Sequence, residues 1–264
     1  MTSDAGVVSG GPSAAFFDLD RTLIAGSSVF VMATAARSAG LVPTAQFVRD
    51  AARAVHFKLL GASDGTTDAV RDRILGAVAG LRQDDLVNLG AAVLPKLLDK
   101  IRPEARRLLE LHRQAGRNTY IVSAAPVEIV EPLAKALGMT AGIGTLSVVV
   151  DGVYTGDLEG PFCYGPGKVE AIDQIARLAG HELGQSYAYS DSASDLPMLR
   201  AVGHPVVVNP DGPLEREARR NGWPIVRFRQ RTRAVVRRVA SGLGAVTIGA
   251  AGFAGGVRYA RARS

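Results

Sequence analysis

The chain contains one cysteine, Cys163, among 264 residues. No internal disulfide can form, so the fold must rest on its apolar core, and a reducing compartment suits it. Aromatic residues make up only 6% of the chain, with a single tryptophan. No platform of stacking rings accompanies the basic residues, so nucleic acid is not the expected partner. The opening residues 1–13, MTSDAGVVSGGPS, have neither a basic start nor an apolar centre. They read as a flexible N-terminal arm and not as a secretory signal. The four histidines, at 56, 112, 181 and 204, show no metal-ligand spacing and read as structural or surface groups.

The body also lacks an excess of positive charge, although the net charge is +6. From Arg227 onward there are nine arginines and no acid, which leaves 22 Lys+Arg against 25 Asp+Glu upstream. The basic character therefore belongs to a tail, residues 231–264, and says nothing about what the body binds. Such a tail suits an anionic surface. Val239–Val257 is an uncharged stretch of 19 residues, long enough to span a membrane. It is rich in Gly and Ala, and Arg258, Arg261 and Arg263 would have to cross with it. A span, a helix lying on the membrane and a helix that ignores it all stay open. The expectation is a cytoplasmic catalytic domain, membrane-associated through 239–257.

What is present is an alternation of short apolar runs and amphipathic helices. Ala14–Phe17 has the pattern of a buried parallel strand. From Ser27 to about Lys100 the pattern is helical, with no strand signal. Its first helix opens on a capping serine and stops at a glycine. In its second, Phe47, Ala51, Val55 and Leu59 recur every four residues along one face. Pro103 opens a further helix that stops at Gly116. Then follow a strand over Asn118–Val122, a helix in VEIVEPLAKALG, and two apolar runs about Asp151-Gly152, a hairpin signal. GKVEAIDQIARLAG is helical. SYAYSDSASDLPML is strand, acidic loop and helix, and HPVVVNP and WPIVRF are short strands. Strands alternating with helices predict an α/β fold with a Rossmann-like parallel sheet. The core would comprise 14–26 and 104–230, with a helical cap inserted at 27–103.

Residues with chemical potential fall at strand ends or helix starts. Asp18 and Asp20 follow the first strand, Ser123 the second, and Asp191 and Asp195 the strand SYAYS, while Lys168 opens a helix. The C-terminal edge of an open α/β sheet gathers such positions into one crevice. Two carboxylates as close as Asp18 and Asp20 repel each other, and a bound cation or a reacting phosphate would relieve that cost. Each residue alone has an ordinary reading as a turn acid, a helix cap or a solvated lysine. Their joint order points to a site.

That order, DLDRTL, IVSAA, GK and YSDSASDLPM, resembles the four motifs of the haloacid dehalogenase superfamily over residues 14–210. The insertion after the first motif resembles the C1-capped branch that includes the phosphoserine phosphatases. The resemblance implies a magnesium-dependent phosphomonoester hydrolase working through an aspartyl-phosphate. Asp18 would be the nucleophile, and Asp20 the acid and then the base. Mg2+ would be held by an Asp18 oxygen, the Asp20 carbonyl and Asp191, with Asp195 supporting the shell. Ser123, the backbone at Ala124, and Lys168 would bind the phosphoryl group.

Three positions depart from the pattern. Arg21 stands where phosphoserine phosphatases usually carry Ser or Gly. Ser27 stands where they carry an acid for the substrate's ammonium group, an office that Asp64 or Asp68 of the cap could fill. Ser194 replaces a frequent Asn. The expected substrate is therefore a small or lipid-derived phosphate monoester. Phosphoserine, as in L-serine biosynthesis, is the alternative, and a non-catalytic membrane-associated adaptor the competitor. Cys163, close to the lysine motif, reads as structural.

Overall fold

The apolar run Ala14–Phe17 forms strand β1, and all four of its residues are buried. This computed structural model describes residues 12–40 and 67–228. Ala14 and Phe16 enter one apolar cluster, and Ala15 and Phe17 enter another. A strand covered on both faces is what an uninterrupted apolar run predicts.

Around β1 lies a six-stranded sheet, with β2 (Asn118–Pro126), β3 (Ala141–Thr145), β6 (Tyr187–Ser190), β7 (His204–Val208) and β8 (Ile225–Val226). The order is β3-β2-β1-β6-β7-β8, and every neighbouring pair is parallel. One face is covered by helices α4 (Pro103–Gln114) and α5 (Val127–Ala136). The other is covered by α6 (Pro166–Ala179), α7 (Leu196–Ala201) and α8 (Gly212–Arg220). The predicted α/β fold with a parallel sheet is the fold observed.

The segment expected as a cap contributes α1 (Ser28–Ser38), α2 (Thr67–Val78) and α3 (Gln83–Asp99). Its apolar residues, such as Val31, Leu86, Val93 and Leu97, share one cluster with α4 and α5. At Gly90, a Cβ would lie 2.5 Å from the Glu128 carbonyl oxygen, so α3 rests directly on the start of α5. The hairpin is also as expected. Strands β4 (Ser147–Val150) and β5 (Val153–Leu158) pair antiparallel. Asp151 and Gly152 turn between them at φ 49° and 75°, the positive values that an Asp-Gly turn of this kind demands. The hairpin is stitched to the helical segment, Tyr154 N–H donating to the Leu81 carbonyl at 3.0 Å.

Several details differ from the sequence reading. Strand β2 continues to Pro126 through an irregularity between Val122 and Pro126, instead of ending at Val122. Pro126 is the N-cap of α5. Strand β3 and helix α8 carried no signal that was read. In β3 the cause is close packing: a Cβ at Gly142 or Gly144 would lie 2.5–2.8 Å from the backbone of Ala125–Glu131. Glycine there lets α5 lie against the strand but erases the apolar pattern that marks strands. The expected arm at 1–13 has its last two residues among those described, and the Pro12 carbonyl accepts the Glu182 N–H at 2.7 Å. The helical face at Phe47–Leu59, Asp64 and the tail stretch 239–257 lie outside the described residues. Among the described residues no helix is long and apolar enough to cross a membrane.

His112 of α4 sits fully buried against β1 and β6, its Nε2 2.8 Å from the Tyr189 hydroxyl. Tyr189 in turn stacks on Phe17, with ring centroids 4.4 Å apart. Burial, aided by the Arg117 charge, pushes the His112 pKa down from 6.5 to about 3. Because the folded value lies below the unfolded one, this contribution to stability is complete above pH 6.5 and is lost as pH falls toward 3. Between pH 7 and pH 4.5 the loss is expected to be about 2–3 kcal/mol. Urea unfolding at the two pH values checks this. A His112→Phe variant should lose less stability over the interval, and a parallel fall in both proteins would refute the assignment.

Candidate active site

The chain leaves β1 and turns at once. Leu19–Leu23 form a tight turn in which Asp20 stays extended and Arg21 takes a left-handed φ of 60°. The Asp18 N–H donates to the Tyr189 carbonyl of the neighbouring strand at 2.9 Å. Asp18 is thus fixed at the sheet edge by backbone pairing, and its side chain is buried beside Lys168.

Lys168 lies in the first turn of α6, which starts at Pro166 after a left-handed Gly165. The lysine is 2% exposed. Its Nζ donates to Asp18 Oδ1 at 2.7 Å and to Asp195 Oδ2 at 2.8 Å. Burial alone would discharge the amine, but the two carboxylates override it and hold the ammonium well above its usual range. Asp195 Oδ2 also accepts the Ser190 hydroxyl at 2.7 Å. The lysine therefore ties the first, third and fourth motifs together across 150 residues of sequence.

Asp191, at the end of β6, is buried and accepts an ion pair from Arg21 Nε at 2.8 Å on Oδ2. Burial pushes its pKa up to about 6, with the Arg21 charge opposing and Asp195 and Asp211 adding to the rise. Asp18 is pushed by burial up to about 7, against the pull of Lys168. Asp20 is raised too, chiefly by burial, and its Oδ1 accepts the Ser28 N–H at 2.7 Å. Ser27, where an acid was the alternative, donates its hydroxyl to Asp20 Oδ2 at 3.4 Å.

Ser123 and Ala124 sit in the irregular stretch of β2. The Ser123 hydroxyl accepts the Ala125 N–H at 3.2 Å, and the Ala124 carbonyl accepts the Thr145 hydroxyl at 2.9 Å. Hydrogen bonding links Asp18, Lys168 and Asp195 directly, and Ser123 is buried in the irregular stretch of the adjacent strand. Asp68, proposed from sequence as a substitute acid, is exposed and paired with Arg71 at 2.9 Å. Cys163 is buried, and burial raises its thiol to about 12, which fits a structural residue.

Sequence reasoning passed over three groups. Ser190, one residue before Asp191, fixes Asp195. The backbone of Ser28 orients Asp20. Asp211 braces the acidic loop: its N–H donates to the Asp191 carbonyl at 2.8 Å, while its carboxylate accepts the Ala193 N–H at 3.0 Å and the Leu214 N–H at 2.8 Å. The last is a helix-capping bond, and the DGP start of α8 was its sequence signal.

The charge balance suits a hard cation. Asp18, Asp20, Asp191 and Asp195 crowd one region, with Lys168 as the buried counter-charge and Arg21 at the rim. Burial is the main cause of the upward shifts at Asp18 and Asp191, and the negative Asp195 adds to both. Among the described residues no three His, Cys, Asp or Glu side chains gather as a metal cluster. The set implied by resemblance needs only two side chains, Asp18 and Asp191, with the Asp20 backbone carbonyl, and oxygen donors of this type fit magnesium.

A haloacid dehalogenase-like hydrolase family model matches residues 15–200. A probable phosphatase of Mycobacterium tuberculosis is 40% identical over 220 residues, covering 82% of this chain and 75% of that protein. A phosphoserine phosphatase of the same organism is 36% identical over 257 residues, covering 95% and 80%. A histidinol-phosphatase of Neisseria meningitidis is 34% identical over 220 residues, covering 81% and 98%. Among solved structures, a protein of unknown function from Bordetella pertussis Tohama I superposes with a TM-score of 0.72 at 28% identity, covering 81% of this chain and 97% of that one. A phospho-aspartyl intermediate analogue of phosphoserine phosphatase shares the fold, with a TM-score of 0.57 at 20% identity over 82% and 93% of the two chains. The match runs from the strand that presents Asp18 to the helix that follows Asp195, and the chain belongs to the haloacid dehalogenase-like hydrolases, as one of their phosphatases.

Proposed function

We propose that the protein hydrolyses a small phosphate monoester, with magnesium, through an aspartyl-phosphate on Asp18. The observation that carries this reading is the Lys168 ammonium lodged between Asp18 and Asp195. The ammonium opposes the burial that raises Asp18 to about 7, and so favours the carboxylate form of a nucleophile shielded from water. A carboxylate oxygen of Asp18 attacks phosphorus as the bond to the leaving oxygen breaks. Asp20 gives that oxygen its proton. In the second step Asp20 takes a proton from the water that attacks phosphorus, which releases phosphate and restores Asp18. The raised pKa of Asp20 favours a carboxyl that still holds a proton to give. Ser123, the backbone at Ala124, and Lys168 receive the phosphoryl oxygens. Asp18, Asp191 and the Asp20 carbonyl would hold magnesium, which would supply positive charge for those oxygens. The contacts of Ser27 and Ser28 with Asp20 support the reading of the inserted helical segment as a cap.

The relatives named phosphoserine phosphatase and histidinol-phosphatase support a phosphate monoester of a small amine-bearing alcohol as the first substrate class to test. The lipid-derived reading drew on 239–257 and has no support among the described residues. The test is phosphate release, with magnesium and with a chelator, over amino-alcohol, sugar, nucleotide and lysolipid monoesters. Turnover confined to lysolipids would overturn the substrate class, and turnover indifferent to chelation would overturn the metal.

Asp20→Asn should lower turnover of alkyl monoesters about 10²- to 10⁴-fold. With p-nitrophenyl phosphate, whose leaving group needs no proton, the first step should survive and yield a burst of nitrophenol. Equal losses in the first step for both substrates would remove Asp20 from the acid role.

A further inference from the structure

Arg21 is the residue whose position the mechanism above does not use. It directly follows Asp20, and its Nε donates to Asp191 Oδ2 at 2.8 Å. The two partners are unlike: the Asp191 side chain is 5% exposed and the Arg21 side chain 57%. The carboxylate is a fixed, buried group, and the guanidinium approaches it from the solvent side. The backbone that presents the arginine is left-handed, at φ 60° and ψ −7°. A side chain with a Cβ adopts that conformation at a cost. The Arg21 N–H, bonded to the Gly26 carbonyl at 3.0 Å, holds the turn in place.

We propose that Arg21 is a tethered counter-cation of Asp191 that competes with the divalent ion for that carboxylate and so weakens the ion's binding. The proposal rests on the reading of Asp191 as a metal ligand. A cation arriving at Asp191 meets a positive group already bonded there. Either the guanidinium lets go of Oδ2, or two like charges share one buried carboxylate. Both routes lower affinity. The Arg21 side chain is more than half exposed, so it can swing into water, and solvent screens its charge. The penalty is therefore several-fold and not many orders of magnitude. The same logic gives the site a resident positive charge whenever the divalent ion is scarce, which keeps the buried acid tolerable in the interval.

The test is calorimetric titration of the full-length protein with MgCl2, backed by the shift in melting temperature that magnesium produces. Arg21→Ser removes the charge. Arg21→Gly removes it and also suits the left-handed backbone, so a folding defect in the first does not decide the outcome. Both should bind Mg2+ about three- to ten-fold more tightly than the wild type, and Arg21→Lys should stay near the wild type. In an Asp191→Asn background the gain should vanish. Unchanged or weaker binding in Arg21→Ser and Arg21→Gly would overturn the proposal, the weaker result marking Arg21 as a group that orients Asp191. If Asp191→Asn binds Mg2+ as tightly as the wild type, the ligand reading fails and takes the proposal with it. If Asp191→Asn loses binding while Arg21→Gly changes nothing, only the competition is wrong.

Discussion

Asp18→Asn is expected to reduce phosphate release by about 10⁴-fold or more, with little loss of stability. The amide keeps an oxygen where Oδ1 accepts the Lys168 bond, but it cannot form the acyl phosphate. The fold should tolerate the change because burial already drives Asp18 toward its neutral form, with a pKa of about 7. A neutral isostere does not forfeit a well-solvated charge. The measurement is single-turnover phosphate release, with thermal unfolding of the same samples. A variant that kept even a tenth of wild-type turnover would exclude Asp18 as the nucleophile. A variant that melted far below the wild type would show the residue to be mainly structural.

Lys168→Met should be damaging in both respects. The side chain is nearly the same length, so the loss is one of charge. Turnover should fall about 10²- to 10³-fold, the effect of deleting one preorganised positive donor from a phosphoryl site. Unlike the Asp18 change, which leaves Lys168 paired with Asp195, this one should also cost about 3–5 kcal/mol of stability, since it strips the shared partner from two buried carboxylates. The pH dependence separates this cause from poor packing. Asp18 already has a folded-state pKa above its usual 3.8, and removing the ammonium that pulls it down raises it further. A group with a raised folded pKa binds protons more readily when folded, so acid favours the fold. The deficit of Lys168→Met against the wild type should therefore shrink between pH 7.5 and pH 5.5. A deficit constant across that range would point to packing. Asp18→Asn combined with Lys168→Met should be less destabilised than Lys168→Met alone, because one of the stranded carboxylates has gone.

The two predictions depend on different layers of information. The order of Asp18, Asp20, Ser123, Lys168, Asp191 and Asp195 is legible in the sequence, because each lies where a short apolar strand gives way to a loop or a helix starts. Local spacing alone marks such boundaries. The Asp151-Gly152 hairpin and the helix that starts at Pro166 were readable for the same reason: the turn residue or cap and the element it delimits are sequence neighbours. Strand β3 was not, since its glycines answer to a helix packed across it and leave no apolar alternation to detect.

The sequence by itself placed four acids and Lys168 at strand ends and a helix start, and the resemblance of those motifs to a known family implied the reaction class. Only the tertiary structure decided which atoms meet. Lys168 bridges Asp18 and Asp195, Arg21 holds Asp191, and Asp211 braces the acidic loop, because parallel crossovers bring β1, β2 and β6 side by side from distant stretches of chain. Burial then sets the charge state of each group, and burial is a property of everything packed around a residue, which no local pattern encodes.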